Sequence, residues 1–187
     1  MSSIDNLQRA LDGATAMMKN VTPDDSAKPT PCTEWDVKAL ANHMTGVCFM
    51  FATAAGGEAI TSYGEPTDLV GNDPASTYAG AAAAAIASWG KEGALEQTVT
   101  LPLGALPGSV AIQINFIDQL LHTFDLAKAI GHAHSIEDHL AEAGLATLNM
   151  LMSPERRGPG KPFGEEVQVS ADASIQDRML AFSGRQP

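Results

Sequence analysis

Three side chains able to bind a cation or move a proton, Asp118, His122 and Asp125, stand at i, i+4 and i+7 in FIDQLLHTFDLAKAIG, residues 116–131. A helix gathers that spacing on one face. The rest of the segment is mainly isoleucine, leucine, phenylalanine and alanine. A solvated face with one carboxylate–imidazole pair is the plain account, contributing only about 0.2–0.5 kcal/mol to the helix. Against it, Ala111, Ile114 and Ala129 share the stripe, while Gln113, Gln119 and Lys128 lie elsewhere around the helix. The sharper account is a metal site, because side chains at i and i+4 can hold one ion between them, as in helix-borne zinc motifs. Asp125, one turn beyond His122, reads either as the group that orients an imidazole from behind or as a surface acid.

Two ligands are too few, so a neighbouring helix must supply another. His43, in ALANHMTGVCFM, is the other histidine placed well inside a strong helix, beside Ala39, Leu40, Val47 and Met50. A lone histidine on such a face is more often a core residue bonded to a carbonyl. The balance shifts when a facing helix offers Asp118 and His122, since bundles build metal sites from inward side chains on facing helices. His132, His134 and His139 in GHAHSIEDH are richer in ligands, but they straddle a helix stop and the next helix start and are expected in solvated loop. Cys32 and Cys48 are candidate soft ligands; Cys48 falls on a packing seam, where it acts as a small hydrophobe. No P-loop, dinucleotide fingerprint or G-x-S-x-G nucleophile motif is present.

The elements that must position these residues follow from periodicity and stop signals. A first helix is expected over 3–20, then a proline-rich link. Thr33 and Asp36 have the form of a capping box opening a second helix to about Ala54, with Val37, Leu40, Ala41, Met44, Val47, Cys48 and Phe51 as its seam. Residues 55–73 form a long glycine-rich connection, either functional or a crossover. Asp73-Pro74 starts a third helix that Gly90 stops. Extended structure is expected near 97–103, followed by two Pro/Gly turns. The site helix then runs from about Ser109 to Ile130, with Gly131 as its stop. Ser135 to Asp138 suggests another capping box, with a fifth helix to Leu151. Loop follows at 155–164, a short strand at 166–170 and a last helix from Ser174 to Phe182. The architecture is all-α, a helical bundle over about 1–152 with a C-terminal extension over about 153–187, as one domain.

Composition narrows the function. A chain of 187 residues with 44% apolar content builds a core without staples. A net charge of −11 argues against nucleic acid and anionic membranes as partners. No apolar run approaches a membrane span, the first ten residues lack a signal-peptide pattern, and two cysteines make no disulfide framework. A cytoplasmic protein is the expectation.

PTPCTEWDVKALANHMTG, the DQLLHTFDLAKAIG segment and the closing DRMLAFSGRQP together resemble the DinB-like metal-dependent superfamily. They are nearest the actinobacterial branch related to the N-terminal domain of mycothiol-dependent maleylpyruvate isomerase. The resemblance spans nearly the whole chain. It implies a four-helix bundle with a long crossover and a divalent metal, zinc first and nickel or iron as the other candidates. Carried over by position, the ligands are His43, Asp118 and His122. It further implies a low-molecular-weight thiol such as mycothiol, a small electrophile as its partner, and a transferase or isomerase reaction. Three departures stand out. Asp118 replaces the usual glutamate; His122-Thr123-Phe124-Asp125-Leu126 replaces the common His-Gly-Trp-Asp-Leu; and the isomerase's further C-terminal domain has no counterpart, so maleylpyruvate is not carried over as substrate. A non-catalytic metal- or ligand-binding bundle, acting as a homodimer, stays open as the alternative. So does a non-haem iron enzyme, whose ligand set is also two histidines and one carboxylate.

Overall fold

The computed structural model describes residues 1–65, 67–161 and 163–187. The loops expected at 55–73 and 155–164 each include one residue, Pro66 and Pro162, that lies outside that set. The chain forms two compact units, Met1–Ala133 and His134–Pro187.

The first unit is a bundle of α1 (Ser3–Met18), α2 (Val37–Ala55), α3 (Pro74–Trp89) and α4 (Gly108–Ile130), with a hairpin of β1 (Thr98–Leu101) and β2 (Gly104–Pro107). Apolar residues recur at helical spacing on α1, where Leu7, Ala10, Leu11, Ala14, Met17 and Met18 are buried. The α1 start is a capping box, Ser2 Oγ accepting from Asp5 N–H at 3.1 Å and Asp5 accepting from Ser2 N–H at 3.0 Å. Helix α2 packs on α3 and α4, and α1 packs on those same two. Helices α1 and α2 are therefore diagonal partners, spanned by the proline-rich link, whereas residues 56–73 join the neighbours α2 and α3. That long connection lies along α2: Asn42 Oδ1 accepts from Leu69 and Val70 N–H at 2.6 and 3.0 Å, and Lys38 pairs with Asp68 at 2.7 Å. Tyr78, Trp89, Phe51, Leu40 and Met44 fill the centre. A fully buried leucine or phenylalanine of this kind contributes about 1.5–3 kcal/mol.

Several local expectations are corrected. Asp36, rather than Thr33, caps α2, with Oδ1 accepting from Ala39 N–H at 2.8 Å. Residues 32–35 are held as a turn by a Trp35 N–H to Cys32 C=O bond of 2.8 Å, so the helix cannot begin before it. Gly104–Pro107, expected as turns, instead closes a hairpin, Thr98 opposite Pro107 and Leu101 opposite Gly104. In the second unit α5 (Asp138–Leu151) packs with α6 (Ile175–Phe182). Glu137, not Ser135, stands at the α5 N-cap, without a side-chain bond. Residues 166–170 form no strand; Val167 N–H donates instead to Ala181 C=O at 3.0 Å.

The entry to α4 depends on a close approach. Gly108 N–H donates to Gln97 C=O and Ser109 N–H to Leu95 C=O, both at 2.8 Å. A methyl group on Gly108 would run into the Ala94 carbonyl oxygen, with Leu95 Cα also only 3.1 Å away. Gly80, exposed within α3, faces open space. Gly108→Ala is expected to destabilise the protein by about 1–3 kcal/mol through overpacking. Gly80→Ala should stabilise it by about 0.5–1 kcal/mol through helix propensity. Urea unfolding of both variants checks the pair, and like signs would refute the close packing at Gly108.

Candidate metal centre

The approach to α2 is built by Thr30. Its hydroxyl donates to Trp35 C=O at 2.8 Å, lies 3.1 Å from Cys32 C=O, and accepts from Cys32 N–H at 3.1 Å. Val37 and Lys38 N–H, which the helix leaves without internal acceptors, donate to Lys28 and Ser26 C=O at 3.0 Å each. The turn thus carries Cys32 and Trp35 to one end of α2 just before His43 on the second turn.

His43 from α2 meets Asp118 and His122 from α4. His43 Nε2 is 3.2 Å from Asp118 Oδ2, and His122 Nε2 is 3.7 Å from the same oxygen. The two imidazoles meet edge to face, 4.9 Å between centroids. Four ligands at about 2.0–2.1 Å in a tetrahedron stand about 3.3–3.4 Å apart along each edge. The two separations from Asp118 bracket that edge, and the ligand atoms of all three residues lie within 4.8 Å of one another, close enough to converge on one ion. The three side chains are 28%, 21% and 13% exposed in the order His43, Asp118, His122, so the trio opens towards His43.

Asp125 lies behind His122, wholly buried, and its Oδ2 accepts from His122 Nδ1–H at 2.9 Å. A carboxylate only accepts, so the proton sits on Nδ1 and Nε2 is the nitrogen available as a ligand. Cys32 donates its S–H to the same Oδ2 at 3.4 Å, with Sγ 3.8 Å from His122 Nδ1. Among the described residues, the potential metal-binding groups are His43/Asp118/His122 and Cys32/His122/Asp125. In the second group Asp125 Oδ2 lies 2.9 Å from His122 Nδ1 and 3.4 Å from Cys32 Sγ, both at hydrogen-bond distance.

His132, His134 and His139 form no such group with one another; His132 is exposed, with Nδ1 2.9 Å from Ala133 C=O. Cys48 is fully buried in the α2 seam, as its position predicts. Burial, reinforced by the Asp118 charge, pushes its thiol up to about 12. Burial first, then Cys48 and Asp118, raises the Tyr78 phenol well above its ordinary value. Both stay protonated near neutrality.

Of three further contributors, sequence reasoning missed the first and third, Trp35 and Gln119, and offered the second, Cys32, only as a candidate soft ligand. Trp35 stacks on His43 with centroids 4.4 Å apart and lies 5.7 Å from His122. Cys32 bonds Asp125, and Gln119, off the acidic stripe, is nonetheless fully buried. The visible signal for the first two was a cysteine and a tryptophan three residues apart just before a capped helix. For the third it was a lone amide among apolar residues.

Residues 7–127 match the family described as the mycothiol maleylpyruvate isomerase N-terminal domain, and the chain belongs to that family. Its mycothiol-related character and mainly helical fold accord with the bundle. Two proteins of Mycobacterium tuberculosis, from different strains and each named only as an uncharacterized protein, are 35% identical to the chain over 178 residues. The alignments cover 95% of this chain and 94% of theirs. No solved structure matches it. No helix among the described residues is long and apolar enough to cross a membrane.

The raised thiol of Cys48 fixes the sign of an alkaline effect. The unfolded thiol titrates near 9.0 and the folded one near 12, so the unfolded state releases its proton first. This contribution to stability is intact below pH 9.0 and falls as pH rises towards about 12. Cys48→Ala is expected to flatten the loss seen in urea unfolding above pH 9, leaving the part due to Tyr78. An unchanged slope would show that Cys48 is not desolvated. Thiol reagents should modify half-exposed Cys32 well before Cys48.

Proposed function

We propose that this family member is a divalent-metal protein that uses His43, Asp118 and His122 as ligands and acts on a low-molecular-weight thiol and a small electrophile. The observation that carries this reading is the convergence of two imidazole nitrogens and one carboxylate oxygen, from two helices, at separations suited to a four-coordinate ion. Zinc fits the donor set, and three protein ligands leave a position open, as catalytic zinc sites do. When bound, the ion would supply Lewis acidity, favouring the thiolate form of an entering thiol, the nucleophile for transfer to the electrophile or for its isomerisation. The family's mycothiol-dependent member supports a mycothiol-type thiol as the first candidate. The net charge of −11 supports small molecules, not nucleic acid, as partners.

The chain's own residues have separable tasks on this reading. Asp118 contributes a negative charge that offsets part of the cation's. Asp125 retains the Nδ1 proton of His122 and fixes the ring's direction. Trp35 lies against both imidazoles and shields them from water.

Protein purified without chelators should carry one divalent ion per chain and transfer a mycothiol-type thiol to a small electrophile. His43→Ala should abolish stoichiometric metal with little change in the metal-free melting temperature. His122→Ala should also lose metal, but it removes one hydrogen-bond partner of the buried Asp125 and should cost about 1–3 kcal/mol as well. Asp118→Asn should bind metal more weakly while melting like wild type without it. Elemental analysis and melting curves check all three. Wild-type metal content in both alanine variants would return the histidines to a packing role. Full metal content without thiol turnover would leave a binding protein in place of an enzyme.

A further inference from the structure

Gln119 follows Asp118 in α4, and every polar atom of its side chain is engaged inside the bundle. Its Nε2 donates to Asp118 Oδ1 at 3.1 Å and to Met44 C=O at 3.2 Å, and its Oε1 accepts from Tyr78 O–H at 2.6 Å. Gln119 and Tyr78 are both fully buried. The partners fix which way the amide faces. A carboxylate and a peptide carbonyl only accept, so the nitrogen must face them, which leaves the oxygen facing α3, where the phenol donates to it. Turning the amide over would set oxygen against two oxygens. Met44 is the residue after His43, so one amide grips the backbone beside one ligand and the carboxylate of another.

We infer that Gln119 is the positioning residue that sets the separation of His43 and Asp118, with Tyr78 locking its amide. This rests on the metal reading above. The Asp118 oxygen bound by Gln119 is Oδ1, which leaves Oδ2 turned towards both histidines. Groups that hold a ligand's far side in this way commonly change metal affinity by about 10–100-fold when removed.

The test measures zinc affinity by chelator competition on wild type, Gln119→Met and Tyr78→Phe, with melting of the metal-free forms and a crystal structure of metal-free Gln119→Met. Gln119→Met keeps the side-chain length and should weaken zinc about 10–100-fold. Tyr78→Phe, which removes one oxygen, should weaken it less and fold normally. Unchanged zinc affinity in both variants, even with lowered melting temperatures, would make the network purely structural and overturn the inference. Should wild type bind no zinc, the metal reading fails by itself. The metal-free Gln119→Met structure then decides: Asp118 Oδ2 displaced from His43 supports positioning, and an unaltered contact overturns it.

Discussion

A carboxylate with no access to water governs this end of the bundle. Asp125 is wholly buried, and a buried charge is tolerated only when paired and hydrogen-bonded. Its Oδ2 draws Nδ1–H of His122 from one turn earlier on α4 and the S–H of Cys32 from the turn before α2. The first bond fixes the imidazole's tautomer and heading, so that Nε2 faces Asp118. The second ties the 30–35 turn to α4, and Trp35, held in that turn by Thr30, then comes to rest on His43. One constraint inside the core therefore orients a ring, docks a loop and supplies an aromatic cover at the mouth.

The acidic stripe was legible because i, i+4 and i+7 spacing is a property of any helix, whatever surrounds it. His43 was legible for a related reason: a titratable ring among alanine, leucine and valine invites a partner on the facing helix. Gln119 was not. A polar residue off the stripe reads as solvent-facing in a helix with one apolar face, but α4 packs on α1 and α2 and is buried around much of its circumference. Its interior can then hold an amide, provided that a carbonyl, a carboxylate and a phenol satisfy it. Helix starts show the same limit. Thr33 and Asp36 are both competent caps, and the choice fell to a pairing of Pro29 with Asp36 and the Cys32–Trp35 turn, contacts that no local pattern encodes. Likewise the glycine and proline of GALP suggested turns, while pairing with Thr98–Leu101 recruited them into a strand.

The electrostatics of the cluster add a direction to its geometry. Asp118 and Asp125 bring two negative charges to the two imidazoles, and the neighbouring Cys48 and Tyr78 are kept neutral by burial and by the charge of Asp118. The bundle thus resists any further anion in its interior, and a divalent cation between Nε2 and Oδ2 would balance the two carboxylates. Exposure falls from 28% at His43 through 21% at Asp118 to 13% at His122 and 0% at Asp125. An added negative charge is least costly where water still screens it. On the metal reading, a thiol that gives up its proton must therefore enter from the His43 side, where the cation is nearest to solvent. On that same reading the buried side has a different task, to hold the ligands still through the bonds of Asp125 and Gln119.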